Sequence, residues 1–177
     1  MNIRASLPAV LLAAVIAMVA ACAPAPEPPT PAQAAAPAVA APALPAAPVG
    51  EGRIPLLVVH KSPSCGCCGL WVEHMQQAGF QVEVRDTHAL NPIKERLGVP
   101  DGKGSCHTAE VAGYVIEGHV PPDDVKRLLA ERPDAKGLVL PGMPLGSPGM
   151  ETPDGRSEAY TVELIANDGT TRAFAQH

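Results

Sequence analysis

The chain has 177 residues, with 18 acidic and 13 basic side chains and a formal net charge of −5 at neutral pH. Its Lys and Arg are scattered, which excludes the clustered positive footprint of a nucleic-acid-binding protein. Aromatic residues make up only 3% of the chain, so a folded core must be built mainly from Val, Leu and Ile.

At the N-terminus, Arg4 precedes a mostly apolar run from Leu7 to Ala21, followed by Cys22. The run is shorter than the roughly 20 residues a membrane-spanning helix needs, and it fits the apolar centre of a secretory signal. Val19-Ala20-Ala21-Cys22 resembles a lipoprotein processing site, where small residues precede a cysteine that is lipidated on sulfur. Residues 1–21 are therefore expected to be a lipoprotein-type signal peptide, with plain secretory cleavage as the alternative. Ala23 to Gly50 is almost entirely Ala and Pro, with Glu27 its one charged residue. Such composition cannot bury a core and favours extended chain at about 3.1 Å per residue. Residues 22–51 are read as a disordered tether lipidated at Cys22, and 52–177 as a single domain.

Within the domain, Ile54 to Val59 is a β-branched apolar run bounded by turn residues, the pattern of a buried strand. It leads into Ser62-Pro63-Ser64-Cys65-Gly66-Cys67-Cys68-Gly69, which holds three of the five cysteines. Leu70, Trp71, His74, Met75 and Ala78 then recur at helical spacing, with Gly79 at a C-cap position. Gln81 to Arg85 alternates as a second strand, parallel to the first because a helix intervenes. Asn91 to Leu97 reads as a short helix with Asn91 as N-cap, Pro92 in its first turn and Gly98 at its end. Lys103 to Thr108 is a polar loop, and Val111 to Ile116 a third strand with His119 just beyond it. Pro121 and Pro122 open another helix, with Val125, Leu128 and Leu129 on one face and a stop before Pro133. A brief Leu138-Val139-Leu140 segment precedes a Pro/Gly loop that carries Met143 and Met150. Tyr160–Ile165 and Thr171–Phe174, joined through Asn167-Asp168-Gly169, form a closing hairpin. The order is that of an α/β thioredoxin-like sandwich with a Pro/Gly/Met loop and a C-terminal β-hairpin.

The cysteines carry the chemistry. At a strand-to-helix junction, unpaired backbone N–H groups and the helix dipole favour thiolate over thiol. With Cys22 set aside, Cys65, Cys67, Cys68 and Cys106 remain, and in an oxidising compartment four cysteines suggest two disulfides in one of three connectivities. Neighbouring cysteines make that arrangement awkward, and Cys65 to Cys68 is the comfortable pair. Cys65-Gly66-Cys67-Cys68 also contains the C-x-x-C of dithiol oxidoreductases. Cys67 is unnecessary for two-thiol exchange, however, and Thr108-Ala109 stands where many thioredoxin folds place a cis-proline. Metal binding uses more of the residues: Cys106-His107, His119, Met143 and Met150 add imidazole and thioether to the thiols, the soft set that selects Cu(I). Three crowded thiolates suit a bridged cluster of several ions better than one ion. His60, His74, His88 and His177 are read as structural or solvated, and Trp71 as core.

The domain from about Ile54 onward resembles the exported copper-resistance proteins named CopG, which are distinct from the plasmid repressor of that name and were long grouped as a domain of unknown function. The resemblance rests on Lys61-Ser62-Pro63-Ser64-Cys65-Gly66-Cys67-Cys68, Ser105-Cys106-His107-Thr108, Glu117-Gly118-His119-Val120-Pro121, Pro141-Gly142-Met143-Pro144 and Gly146-Ser147-Pro148-Gly149-Met150. It implies a thioredoxin-like domain that binds copper in the periplasm and meets other periplasmic copper-handling proteins there. Cys65, Cys67, Cys68 and Cys106 then correspond to the family's cysteines, and His107, His119, Met143 and Met150 are candidate ligands. The resulting expectation is a Cu(I)-holding protein of copper resistance, with thiol or copper oxidoreduction through Cys65 and Cys68 as the alternative.

Overall fold

The computed structural model describes residues 54–177. The expected signal peptide, the lipidated Cys22 and the tether lie outside the described residues. Ten elements follow one another: β1 (Leu57–Lys61), α1 (Gly66–Gln77), β2 (Val82–Asp86), α2 (Leu90–Leu97), β3 (His107–Val111), β4 (Tyr114–Glu117), α3 (Pro122–Glu131), β5 (Gly137–Val139), β6 (Thr161–Ile165) and β7 (Thr171–Gln176). All seven strands join one mixed sheet in the order β2-β1-β3-β4-β5-β6-β7, in which β1 pairs parallel with β2 and β4 with β5.

The sheet register separates two faces. Leu57, Val59, Ala109, Val111, Ile116, Leu138, Val162 and Leu164 share one face, where Trp71, Val72 and Met75 of α1 and Val125 and Leu128 of α3 cover them. Trp71 is fully buried, as its place in the helical stripe predicts, and its indole N–H donates to the Val120 carbonyl at 2.9 Å. On the other face Val115, Val139 and Ile165 are covered by Leu97 and Val99 at the end of α2. The helices therefore sit on both faces of the sheet, as burial of a mixed sheet requires.

Strand direction decides what lies where. Antiparallel pairing sets Lys61 of β1 opposite His107 of β3, and Thr108 of β3 opposite Glu117 of β4. Parallel pairing then sets Glu117 beside Val139 of β5. The chain leaving β1, entering β3, leaving β4 and leaving β5 therefore passes the same end of the sheet. Those four passages carry the cysteine cluster, Cys106, His119 and the Met-bearing loop.

Several sequence expectations are corrected. Val111–Ile116 is not one strand: β3 begins earlier, at His107, and turns at Ala112-Gly113 into β4. Ala112 and Gly113 have φ of 48° and 86°, the two successive left-handed residues of a tight hairpin turn. The alanine disguised the turn, since a residue with a Cβ seldom takes positive φ. His107 and Thr108 consequently leave the expected polar loop for a buried strand. Helix α2 starts at Leu90 with Ala89 at its cap, not Asn91, while Gly98 ends it in the left-handed conformation as expected.

Gly137 shows how closely the strands are drawn together. Its φ is 154°, and a Cβ there would overlap the backbone of Val115, its partner on β4. Gly137→Ala is expected to cost about 3 kcal/mol or more by urea denaturation. Gly102→Ala, at φ 75° with nothing within 4 Å of the new Cβ, should cost only about 1 kcal/mol.

Candidate metal centre

Cys65 sits at the N-cap of α1 with extended backbone, and its N–H closes a turn onto the Ser62 carbonyl at 3.0 Å. Cys67 and Cys68 occupy the first helical turn, where backbone N–H groups lack helical partners. Of the pairings open to the sequence, the structure has Cys65–Cys68 joined as a disulfide, with Cα atoms 5.4 Å apart. Cys67 and Cys106 are free thiols. The Cys67 sulfur lies 3.5 Å from that of Cys65 and 4.0 Å from that of Cys106. All four sulfurs fall within 4.8 Å of one another.

Cys106 belongs to a second donor group as well. Its sulfur is 3.0 Å from Nε2 of His119 and 3.4 Å from Nδ1 of His107. His119 Nδ1 stands 2.8 Å from the Pro148 carbonyl, which can only accept, so Nδ1 carries the hydrogen and the Nε2 lone pair faces Cys106. His107 stacks at a tilt on Trp71, with ring centroids 4.4 Å apart, and meets His119 edge-on at 4.9 Å. Both imidazoles are fully buried. His107 Nε2 is the one buried side-chain nitrogen or oxygen among the described residues without a hydrogen-bond partner.

Burial sets the protonation of this group. It pushes the Cys106 thiol up to about 12, with the neighbouring Cys67 adding to the effect. The helix-end argument for thiolate does not reach Cys106, which lies in the loop before β3. Burial also holds His107 well below the usual imidazole value, assisted by His119 and Lys94. His119 is lowered too, by burial, against the opposing pull of the Pro148 carbonyl and Glu151. The pocket thus holds a protonated thiol and two neutral imidazoles. A soft cation entering it would displace the thiol proton and meet unprotonated nitrogen.

The Met-bearing loop closes over this end of the sheet. The Ser105 hydroxyl donates to the Gly142 carbonyl at 2.5 Å, tying the residue before Met143 to the residue before Cys106. Gly149, at φ 83°, lies so close to α1 that a Cβ would come within 2.6 Å of the Cys67 carbonyl oxygen and 2.8 Å of the Trp71 nitrogen. Glu151 accepts from the Gly149 N–H and pairs with His74 at 2.7 Å, clasping the loop to α1. Met150 is half-buried, whereas Met143 is 49% exposed. The structure therefore brings six of the expected residues, Cys65, Cys67, Cys68, Cys106, His107 and His119, into two clusters sharing Cys106. For Met143 and Met150 it ties down the backbone neighbours. His74, read from the sequence as structural or solvated, has this clasping role.

A model of the family described as a protein of unknown function, DUF411, matches residues 103–150. Two solved structures described as copper resistance protein CopG, form 1 and form 2, are each 41% identical to this chain. They cover 71% of it, with 98% and 99% of their own lengths matched and TM-scores of 0.66 and 0.67. No curated protein matches. The chain belongs to the CopG copper-resistance family.

Membership of the CopG family implies copper, and the residues present suit it. The cluster holds four sulfurs, two of them free thiols and two joined as a reducible disulfide, and two neutral imidazoles, with an unpartnered buried nitrogen on one of them. Sulfur and imidazole donors are those preferred by Cu(I), while harder ions would seek carboxylates. No carboxylate belongs to either Cys/His cluster among the described residues.

The buried histidines make the stability of the metal-free protein depend on pH. An unfolded imidazole gains its proton near 6.5, whereas His107 resists it, so the stabilisation is complete above about pH 6.5 and is lost as pH falls. His107→Phe keeps a ring against Trp71 but cannot titrate. It should flatten the fall in unfolding free energy between about pH 6.5 and pH 5 by up to roughly 1.4 kcal/mol per pH unit. An unchanged slope would show that His107 is not held neutral.

Proposed function

We propose that this protein is a periplasmic copper-binding protein that holds Cu(I) in copper resistance. Cys65, Cys67, Cys68 and Cys106 supply bridging thiolates for a small cluster, and His107, His119, Met143 and Met150 complete it. The observation that carries this reading is the convergence of four sulfurs within 4.8 Å, one of them shared with two neutral imidazoles. The order β2-β1-β3-β4, with the thiols at the tip of the first helix, supports a thioredoxin-like assignment for this part of the sheet. Export by the signal in 1–21, lipidation at Cys22 and the Ala/Pro tether to residue 51 complete the picture. A disulfide fits such an oxidising compartment. Copper ions would then pass to and from other periplasmic copper-handling proteins, with the membrane touched only through the lipid.

With Cys65 and Cys68 joined, two of the four sulfurs are withheld, so full Cu(I) capacity requires the reduced protein. Cu(I) competition against a chromogenic chelator should show tight binding after reduction and at least about tenfold weaker binding in Cys65→Ser and in Cys106→Ser. Retained affinity in both variants would remove the sulfur site.

A second reading, oxidoreduction, is favoured by the disulfide lying 3.5 Å from the free Cys67 sulfur and within the copper-suited cluster. Two Cu(I) ions would each give one electron to the Cys65–Cys68 bond, yielding two thiolates and two Cu(II) ions. Mixing the disulfide form anaerobically with Cu(I), in a Cys22→Ala background, distinguishes the two readings. Two new thiols and two Cu(II) per protein mark oxidoreduction, and an unchanged thiol count marks simple holding.

A further inference from the structure

Glu117 is fully buried, and a carboxylate in such a place is costly unless every lone pair is answered. Three donors answer it. Lys94 of α2 pairs with Oε1, its own side chain only 13% exposed. The Thr108 hydroxyl donates to Oε2 at 2.6 Å and accepts from Lys94 at 2.8 Å, which closes a triangle. The backbone N–H of Ser105 donates to Oε1 at 2.6 Å. Ser105 and Thr108 bracket Cys106 and His107, so a single side chain grips both ends of the segment that carries the isolated thiol.

The backbone that carries Glu117 also leads into His119. Glu117 ends β4 two residues before it, and Gly118 between them has φ 77°. The Gly118 N–H donates to the His107 carbonyl at 3.1 Å, and a Cβ on Gly118 would come within 2.6 Å of the Leu140 carbonyl and 2.7 Å of the Ser105 Cβ. The strand ends bearing Cys106 and His119 are therefore drawn together at Gly118, beside the residue whose side chain holds Ser105. None of Glu117, Lys94 and Thr108 hydrogen-bonds a sulfur, so Glu117 acts on the thiol through the segment it holds, while Lys94 in addition disfavours a proton on His107.

We propose that Glu117, braced by Lys94, is the positioning residue that sets Cys106 against His119 and the helix-borne sulfurs; the role rests on the copper-holding reading above. Its loss loosens the Ser105–His107 segment, uncovers Cys106 and weakens Cu(I) binding specifically through that thiol. A general packing role, by contrast, weakens binding whether or not Cys106 is present.

Two variants test this in the purified protein. Glu117→Gln removes the charge and keeps the shape, and Lys94→Met/Glu117→Leu removes the buried ion pair in exchange for apolar contact, a swap that proteins often tolerate without loss of stability. In a Cys22→Ala/Cys67→Ser background, Cys106 is the one free thiol beside the Cys65–Cys68 disulfide. Its alkylation by iodoacetamide should quicken about tenfold or more in each variant. After reduction, Cu(I) affinity should fall about tenfold when Cys106 is present and by less than about twofold in a Cys106→Ser background. Should either variant fail to fold, Thr108→Val removes the hydroxyl that bonds both Glu117 and Lys94 while leaving the ion pair, and should move both readings in the same direction by less. Unchanged alkylation in a folded variant, or equal affinity losses in the two backgrounds, overturns the role. If the parent protein holds no Cu(I), the copper reading fails, and the alkylation rates still decide whether Glu117 positions Cys106.

Discussion

The structure depends on the direction in which β3 runs beside β1. Because the two are antiparallel, with Lys61 opposite His107, the chain that leaves β1 toward the clustered cysteines passes the chain that enters β3 from Cys106. Cys67 and Cys106, 39 residues apart, then come to 4.0 Å between sulfurs. A parallel β3 would have carried Cys106 to the far end of the sheet. The turn at Ala112-Gly113 returns the chain at once, so His119 emerges at that same end, and the parallel β5 sends the methionine loop over it. Cys106 and His119 are placed by strand ends, and the clustered cysteines by the helix that follows β1.

The interior of the site contrasts with its support. At the sulfurs and imidazoles, burial suppresses charge: the Cys106 thiol keeps its proton and the histidines remain neutral. Just behind them, Lys94 and Glu117 form a buried ion pair fully engaged with Thr108 and Ser105. A neutral donor set can accept a cation without first breaking a salt bridge, and the ion pair holds the donors still without competing for the metal. His119 shows the same division within one ring, its Nδ1 spent on Pro148 and its Nε2 turned to Cys106. The disulfide adds a chemical constraint, since oxidation at Cys65 and Cys68 leaves Cys67 and Cys106 as the free thiols of the described residues.

Much of this was legible in residue order. The apolar run before the cysteines, the helical stripe through Trp71 and Met75, and the closing hairpin are local patterns, and local patterns follow from backbone and side-chain periodicity. The soft character of the donor set was legible too, because it is a matter of residue type. Glu117 left a signal that went unused: an acidic residue ending the apolar run Tyr114-Val115-Ile116 marks a buried charge in need of partners. The Ala112-Gly113 turn left almost none, since alanine rarely takes the left-handed conformation found there.

By itself the sequence determined most of the elements, the β3–β4 hairpin excepted, and which atoms are available to bind a soft ion. Propensity, apolar spacing and donor chemistry are properties of short stretches. Only the tertiary structure decided that Cys65 joins Cys68, that Cys106 is shared between two donor groups, and that Lys94 reaches Glu117 behind them. Those outcomes turn on strand direction, register and burial, which arise when distant segments pack and which no short window of residues contains.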